Sequence, residues 1–99
     1  MKPLRFHPSV QRDIKKAIEY YASISEGLGD GFWSELLEVF AEVERAPEAH
    51  HFDQSGLRRI NLKRFPYNVL YLIRADRIRV QVVRHNSRRP GYGVRRSRG

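Results

Sequence analysis

LRRINLKRFPYNVLYLIRADRIRVQVVRHNSRRPGY, residues Leu57 to Tyr92, decides the fold. Three runs within it, Leu57–Arg64, Asn68–Arg74 and Arg77–His85, mix β-branched or aromatic residues with polar ones at period two. That is the pattern of strands with one buried face. Phe65-Pro66-Tyr67-Asn68 separates the first two runs and Ala75-Asp76 the last two. Gaps this short can join only antiparallel neighbours, because parallel strands need a long crossover. A two-residue loop at Ala75-Asp76 sets Ile73 opposite Ile78, Tyr71 opposite Val80 and Val69 opposite Val82. With Ile60 and Leu62 these make one apolar face, and a one-residue slip would turn it outward. The other face carries Arg59, Asn61, Lys63, Leu70, Leu72, Arg74, Arg77, Arg79, Gln81 and Val83, a basic surface with an apolar stripe down its middle.

Upstream, Pro3–His7 reads as a short strand, with Leu4 and Phe6 on one face and Pro3 at its start. Pro8 suits the first position of a helix, where its missing N–H costs nothing. From Pro8 to about Ile24, Val10, Ile14, Ala17, Ile18 and Tyr21 recur at helical spacing and form a stripe that must be buried. A break at Ser25-Glu26-Gly27 leads to a second helix, Leu28 to Ala46, which Pro47 stops. Leu28, Phe32, Leu36, Leu37, Phe40 and Val43 line one side of it, widened by Trp33 and Val39. Glu35, Glu38, Glu42 and Glu44 are expected in water. A helix hairpin and a sheet with one apolar face make a two-layer α+β domain: strand, helix hairpin, three-stranded antiparallel meander.

The 99 residues are expected to form one domain, 1–99, of which about 93–99 is a flexible basic tail. Hydrophobic residues at 40% and charged residues at 30% suit a soluble chain, and no apolar run is long enough to span a bilayer. MKPLRFHP is no signal peptide, so a cytoplasmic setting without membrane contact is expected. The absence of cysteine excludes disulfides, thiolate catalysis and thiolate metal sites. His50-His51 with Asp53 lacks the spacing and ligand number of a metal site, so neither metal nor cofactor is expected.

Charge is divided unevenly along the chain. Residues 1–56 hold six Lys/Arg against ten acids, whereas residues 57–99 hold thirteen against one, Asp76. Twelve of those thirteen are arginine, whose planar fork grips phosphate or carboxylate. The excess points to a polyanionic partner: nucleic acid, a ribonucleoprotein or an acidic protein segment. Candidate target-binding residues are Arg59, Lys63, Arg74, Arg79, Arg88 and Arg89. His85 leaves the last strand where Arg88 and Tyr92 could fold back beside it. A histidine, arginines and a tyrosine suit RNA cleavage by transphosphorylation, so Arg59, His85, Arg88 and Tyr92 are the catalytic candidates. The alternative is a strand-end histidine bonded to the arm, with arginines that bind a polyanion and catalyse nothing.

Several stretches together resemble the RelE/ParE superfamily of toxins from type II toxin–antitoxin modules. They are Phe6-His7-Pro8, Ile18-Glu19-Tyr20-Tyr21, Gly29-Asp30-Gly31-Phe32, Leu57-Arg58-Arg59, Arg64-Phe65-Pro66-Tyr67 with Tyr71, and His85 with Arg88-Arg89-Pro90-Gly91-Tyr92. The Phe-Pro-Tyr turn and the His…Arg-x-Pro-x-Tyr ending are more similar to the ParE, or plasmid-stabilisation, branch. The resemblance implies a growth-inhibiting protein that a cognate antitoxin neutralises within a hetero-oligomer. ParE-type members poison DNA gyrase without a known hydrolytic site; RelE-type members are endoribonucleases that cut mRNA on the ribosome. On the RelE pattern, Arg59 and Arg88 match basic positions and Tyr92 lies near the tyrosine. The arginine heading the second strand falls on Asn68, and a lysine of the first strand falls on Asn61. In the ParE pattern an aromatic often follows Pro-x-Tyr, where Gly93 stands here. The expected function is therefore gyrase inhibition without catalysis; the alternatives are a ribosome-dependent endoribonuclease and a non-toxic nucleic-acid-binding domain.

Overall fold

A computed structural model describes residues 1–99. The elements run β1 (Leu4–Phe6), α1 (Pro8–Ile24), α2 (Glu26–Arg45), β2 (Arg58–Asn61), β3 (Tyr67–Ile73) and β4 (Ile78–His85), with a short 3-10 turn at Pro47–Ala49. The four strands form one sheet in the order β1-β4-β3-β2. β1 lies parallel to β4, and the other pairings are antiparallel. Both helices pack on one side, which gives the α+β architecture expected.

Local chemistry accounts for the helix ends. His7 precedes α1 and its Nδ1 accepts the Ser9 N–H at 3.0 Å, with Pro8 in the first turn. The hairpin break is tighter than the sequence suggests, because Ser25 alone separates the helices. Its N–H donates to Tyr21 O and ends α1, while its Oγ accepts the Leu28 N–H at 3.2 Å and starts α2. Gly29 lets the helices meet: a Cβ there would lie 2.9 Å from the Ala22 Cβ.

The main core lies between helices and sheet. Val10, Ala17, Tyr21, Phe32, Leu36, Phe40 and Val43 meet Leu62, Phe65, Val69, Tyr71, Ile78, Val80 and Val83 there. Tyr71 is fully buried, its hydroxyl donates to Pro47 O at 2.5 Å, and burial pushes its pKa up to about 12.

Beside the β3–β4 turn the pairing is the one expected: Ile73 faces Ile78 and Tyr71 faces Val80. Beyond it a bulge intervenes. Leu70 pairs with Val82 and Val69 with Val83, so Gln81 is an extra residue on β4. The expected pair Val69–Val82 is therefore wrong, and Val82 and Val83 exchange faces. A bulge does this by placing two residues opposite one, which shifts the period-two alternation by one step. Val83 enters the main core, and Val82 turns to the opposite face with Leu57 and Leu70.

That opposite face is not an open basic surface. Tyr92 and Val94, from the segment after β4, pack with Leu72 against Leu57, Leu70 and Val82. Glu35 also departs from expectation. It is 5% exposed, because its carboxylate reaches the β2–β3 turn and accepts the backbone N–H groups of Lys63 and Arg64. Leu37 and Trp33 are exposed at 47% and 40% rather than part of the core stripe.

Candidate target and antitoxin surfaces

The C-terminal arm, residues 86–99, is anchored by buried polar groups. Arg84 is 4% exposed, and its guanidinium donates to Pro90 O at 2.7 Å, Tyr92 O at 3.0 Å and Asn68 Oδ1 at 3.3 Å. Burial lowers the Arg84 pKa, a shift that Asp53 opposes. The Asn68 amide donates to Asn86 Oδ1 at 2.9 Å. Gln81, placed by the bulge, donates to Arg96 O. Farther on, Arg96 forks onto Asp13 of α1, and Asp13 also accepts the Val83 N–H at 3.1 Å. β1 pairs with β4 only as far as Val80, so Asp13 and Arg96 satisfy the edge that β1 leaves open.

At the start of this arm His85, Arg88 and Tyr92 border one small cavity of about 60 Å³, together with Asp13, Lys16 and Tyr67. His85 Nδ1 accepts the Ser87 N–H at 2.9 Å and lies 2.8 Å from Ser87 Oγ. With Nδ1 occupied, the neutral ring carries its proton on Nε2 and presents a donor rather than a base. The His85 ring meets Tyr67 edge-on at 5.2 Å, and the Arg88 guanidinium stands 4.5 Å from the Tyr92 ring centre.

Arg59 does not join this group. It lies on β2, two strands away from β4, where it donates to Asn61 Oδ1 at 2.9 Å and pairs with Asp53 at 3.4 Å. Asp53 also accepts the Ser55 N–H, and the bonds to Ser55 and Arg59 hold its pKa below the usual range against an opposing effect of burial. The other basic candidates are dispersed. Lys63 stands before β3 and Arg74 just after it, at opposite ends of a seven-residue strand, roughly 20 Å apart. Arg79 reaches Phe6 O and Ser97 O, so the arm covers it. Arg89 is exposed.

The sequence did not reveal the largest hollow. Phe6, Val10, Ile14, Ile18, Trp33, Leu37 and Phe40 line an apolar groove of about 760 Å³ along α1 and α2. Lys15, Glu19 and Asp30 stand at its rim. The available sign was excess: α2 carries more apolar positions than a single face against the sheet can cover. For the bulge, the sign was the adjacent pair Val82-Val83, which breaks the alternation of β4. Asp13, Glu35, Arg84 and Arg96 gave no sequence signal, because a buried charge looks like a surface one until its partner is known.

Residues 4–90 match a family model described as ParE toxin of type II toxin-antitoxin system, parDE. The chain belongs to this family: it is a RelE/ParE-superfamily toxin of the ParE branch, the toxin half of a type II module whose other half is an antitoxin. No match was found among curated proteins.

Proposed function

We propose that this toxin arrests growth by poisoning DNA gyrase without covalent chemistry, and that its antitoxin neutralises it by laying an apolar helix into the α1–α2 groove. The observation that carries the first half is the state of the nuclease positions. Asn68 stands where the RelE pattern wants arginine, and it is fully buried and bonded to Asn86 and Arg84. Arg59 is tied to Asp53 and separated from His85, so no cation of β2 faces the cavity at Arg88. A phosphoryl-transfer site needs an acid, a base and charge stabilisers around one phosphate. His85, with Nδ1 taken by the Ser87 N–H, is not arranged as the base.

The second half rests on the groove. Trp33, Leu37 and Phe6 are each more than a third exposed yet lie along one hollow. An amphipathic helix with apolar anchors fits such a hollow. Mechanistically, the toxin holds its target by side-chain contacts alone, and antitoxin binding removes surface rather than blocking a reaction centre.

The alternative, ribosome-dependent mRNA cleavage, draws on the cavity that His85, Arg88 and Tyr92 share. Induced expression separates the two. Gyrase poisoning stops DNA replication before protein synthesis; mRNA cleavage stops protein synthesis first and overturns the proposal.

A further inference from the structure

Seven of the twelve arginines after Gly56 are engaged. Arg59, Arg64, Arg77 and Arg96 each have a carboxylate partner, and Arg58, Arg79 and Arg84 donate to backbone carbonyls; before the arm only Arg74, at the β3–β4 turn, is exposed without a partner. Along the arm the pattern changes. Arg88, Arg89, Arg95 and Arg98 are exposed, and none is paired with a carboxylate. Arg88 lies on the Tyr92 ring and Arg98 makes a 3.4 Å bond to Val94 O. The backbone that bears them is held at Pro90 and Tyr92 by Arg84 and at Arg96 by Gln81, and Asp13 holds the Arg96 side chain. Four guanidiniums without a carboxylate partner thus project from an anchored strap, and the ordering cost of aligning their backbone is already met.

Three polyanions could meet such a strap, and the surroundings separate them. A protein surface is gripped through apolar or aromatic anchors ringed by charge. Every large exposed apolar residue of this chain lies at or before Phe52, none on the arm. Single-stranded nucleic acid is held by stacking bases on exposed aromatic rings. The arm's only aromatic, Tyr92, is partly buried on Leu57, Leu70 and Val82, with Arg88 at 4.5 Å and Arg96 at 5.6 Å from its ring centre. A duplex asks for neither anchor nor ring, because its phosphates are outermost and charge contacts alone hold them.

We infer that the arm of residues 88–98 binds the phosphate backbone of a nucleic-acid duplex through Arg88, Arg89, Arg95 and Arg98. This binding is a property of the toxin alone and stands whichever macromolecular target the toxin inhibits.

The test is fluorescence anisotropy of a labelled mixed-sequence 20-base-pair duplex, titrated with the purified full chain at several salt concentrations. Four phosphate contacts predict a slope of log K against log salt of about −3.6, and each arginine removed lowers its magnitude by about 0.9. The triple variant Arg89→Ala, Arg95→Ala, Arg98→Ala should lose most of the slope while melting like the parent. The charge-matched variant Lys2→Ala, Arg5→Ala, Arg12→Ala should keep it. Equal losses in both variants would show only net charge and overturn the inference. So would failure to bind the duplex, binding of a 20-nucleotide single strand as tightly as the duplex, or tighter binding of poly-glutamate. A DNA and an RNA duplex run in parallel identify which backbone the strap prefers, and preference for either supports it.

Discussion

Arg96 and Asp13, 83 residues apart, meet through a two-pronged contact: Nη1 to Oδ2 at 2.7 Å and Nη2 to Oδ1 at 2.9 Å. The side chains are 16% and 5% exposed, so the pair is largely removed from water. It ties the arm to α1 at the point where β4 runs past β1. Removing one partner of a buried pair leaves an uncompensated charge, a loss of about 3–5 kcal/mol. Arg96→Ala should therefore lower the urea midpoint steeply. Replacing both, with Asp13→Leu and Arg96→Met, should cost less than Arg96→Ala alone. A change below about 1 kcal/mol in Arg96→Ala would mean that the arm is not part of the cooperative fold.

The arm also depends on Gly93. Its φ is +77°, and a Cβ there would lie 2.5 Å from Val82 Cγ2. Gly93→Ala combines a left-handed backbone, worth roughly 1–2 kcal/mol, with a clash against the residue the arm covers. The arm should lift. Hydrogen exchange at the Val94 and Arg96 amides, which donate to Gly91 O and Gly93 O, should then accelerate while the α2 amides stay protected. Unchanged exchange at both amides would contradict the seating of the arm on Val82.

With the antitoxin in the proposed groove, Leu37 should separate antitoxin binding from folding. It is 47% exposed at the groove, so Leu37→Glu should change stability by no more than about 0.5 kcal/mol. Burying a leucine contributes about 1.5–3 kcal/mol, so the variant should bind its antitoxin about ten- to a hundredfold more weakly. Isothermal titration of antitoxin into both proteins checks this. An unchanged affinity would place the antitoxin elsewhere.

His7 links pH to the start of α1. Burial, then the charges of Arg79 and Arg96, hold its pKa below the ordinary value of 6.5, with Asp13 opposing. Its Nδ1 must stay unprotonated to accept the Ser9 N–H. A pKa lowered by folding means that the unfolded chain takes up the proton first. The stabilisation is thus complete above about pH 6.5 and is lost as pH falls through the lower folded value. His7→Asn keeps a cap acceptor that does not titrate, so its stability should fall less than the parent's between pH 7 and 5. His50, whose pKa burial also lowers, accounts for part of what remains. Parallel curves for the two proteins would contradict the assignment.

Strands and helices were legible in the sequence because each buries one face, and a buried face writes its period into the chain. Pro8 and Pro47 marked helix limits for the same local reason, and α1 begins and ends where its pattern does. What escaped depended on partners distant in sequence. Glu35 reads as a solvated acid and Asp13 carries no signal at all, because the groups they satisfy, the Lys63 and Val83 N–H among them, lie 28 and 70 residues away. Val82 lies on the face opposite to the one its alternation predicts, because alternation carries no sign of a bulge except the doubled valine. The candidate site was only partly visible. His85, Arg88 and Tyr92 sit near one another in the chain and meet in space, whereas Arg59 shares their charge but not their place.

The most direct test of a gyrase poison that works without catalysis uses two reactions with one preparation of purified toxin. In the first, gyrase supercoils relaxed plasmid; in the second, ribosomes translate a defined mRNA. For a non-catalytic gyrase poison, supercoiling should fall in proportion to toxin added, equimolar antitoxin should restore it, and the mRNA should stay intact. Full supercoiling beside codon-dependent mRNA cuts that vanish in His85→Ala or Arg88→Ala would contradict gyrase poisoning.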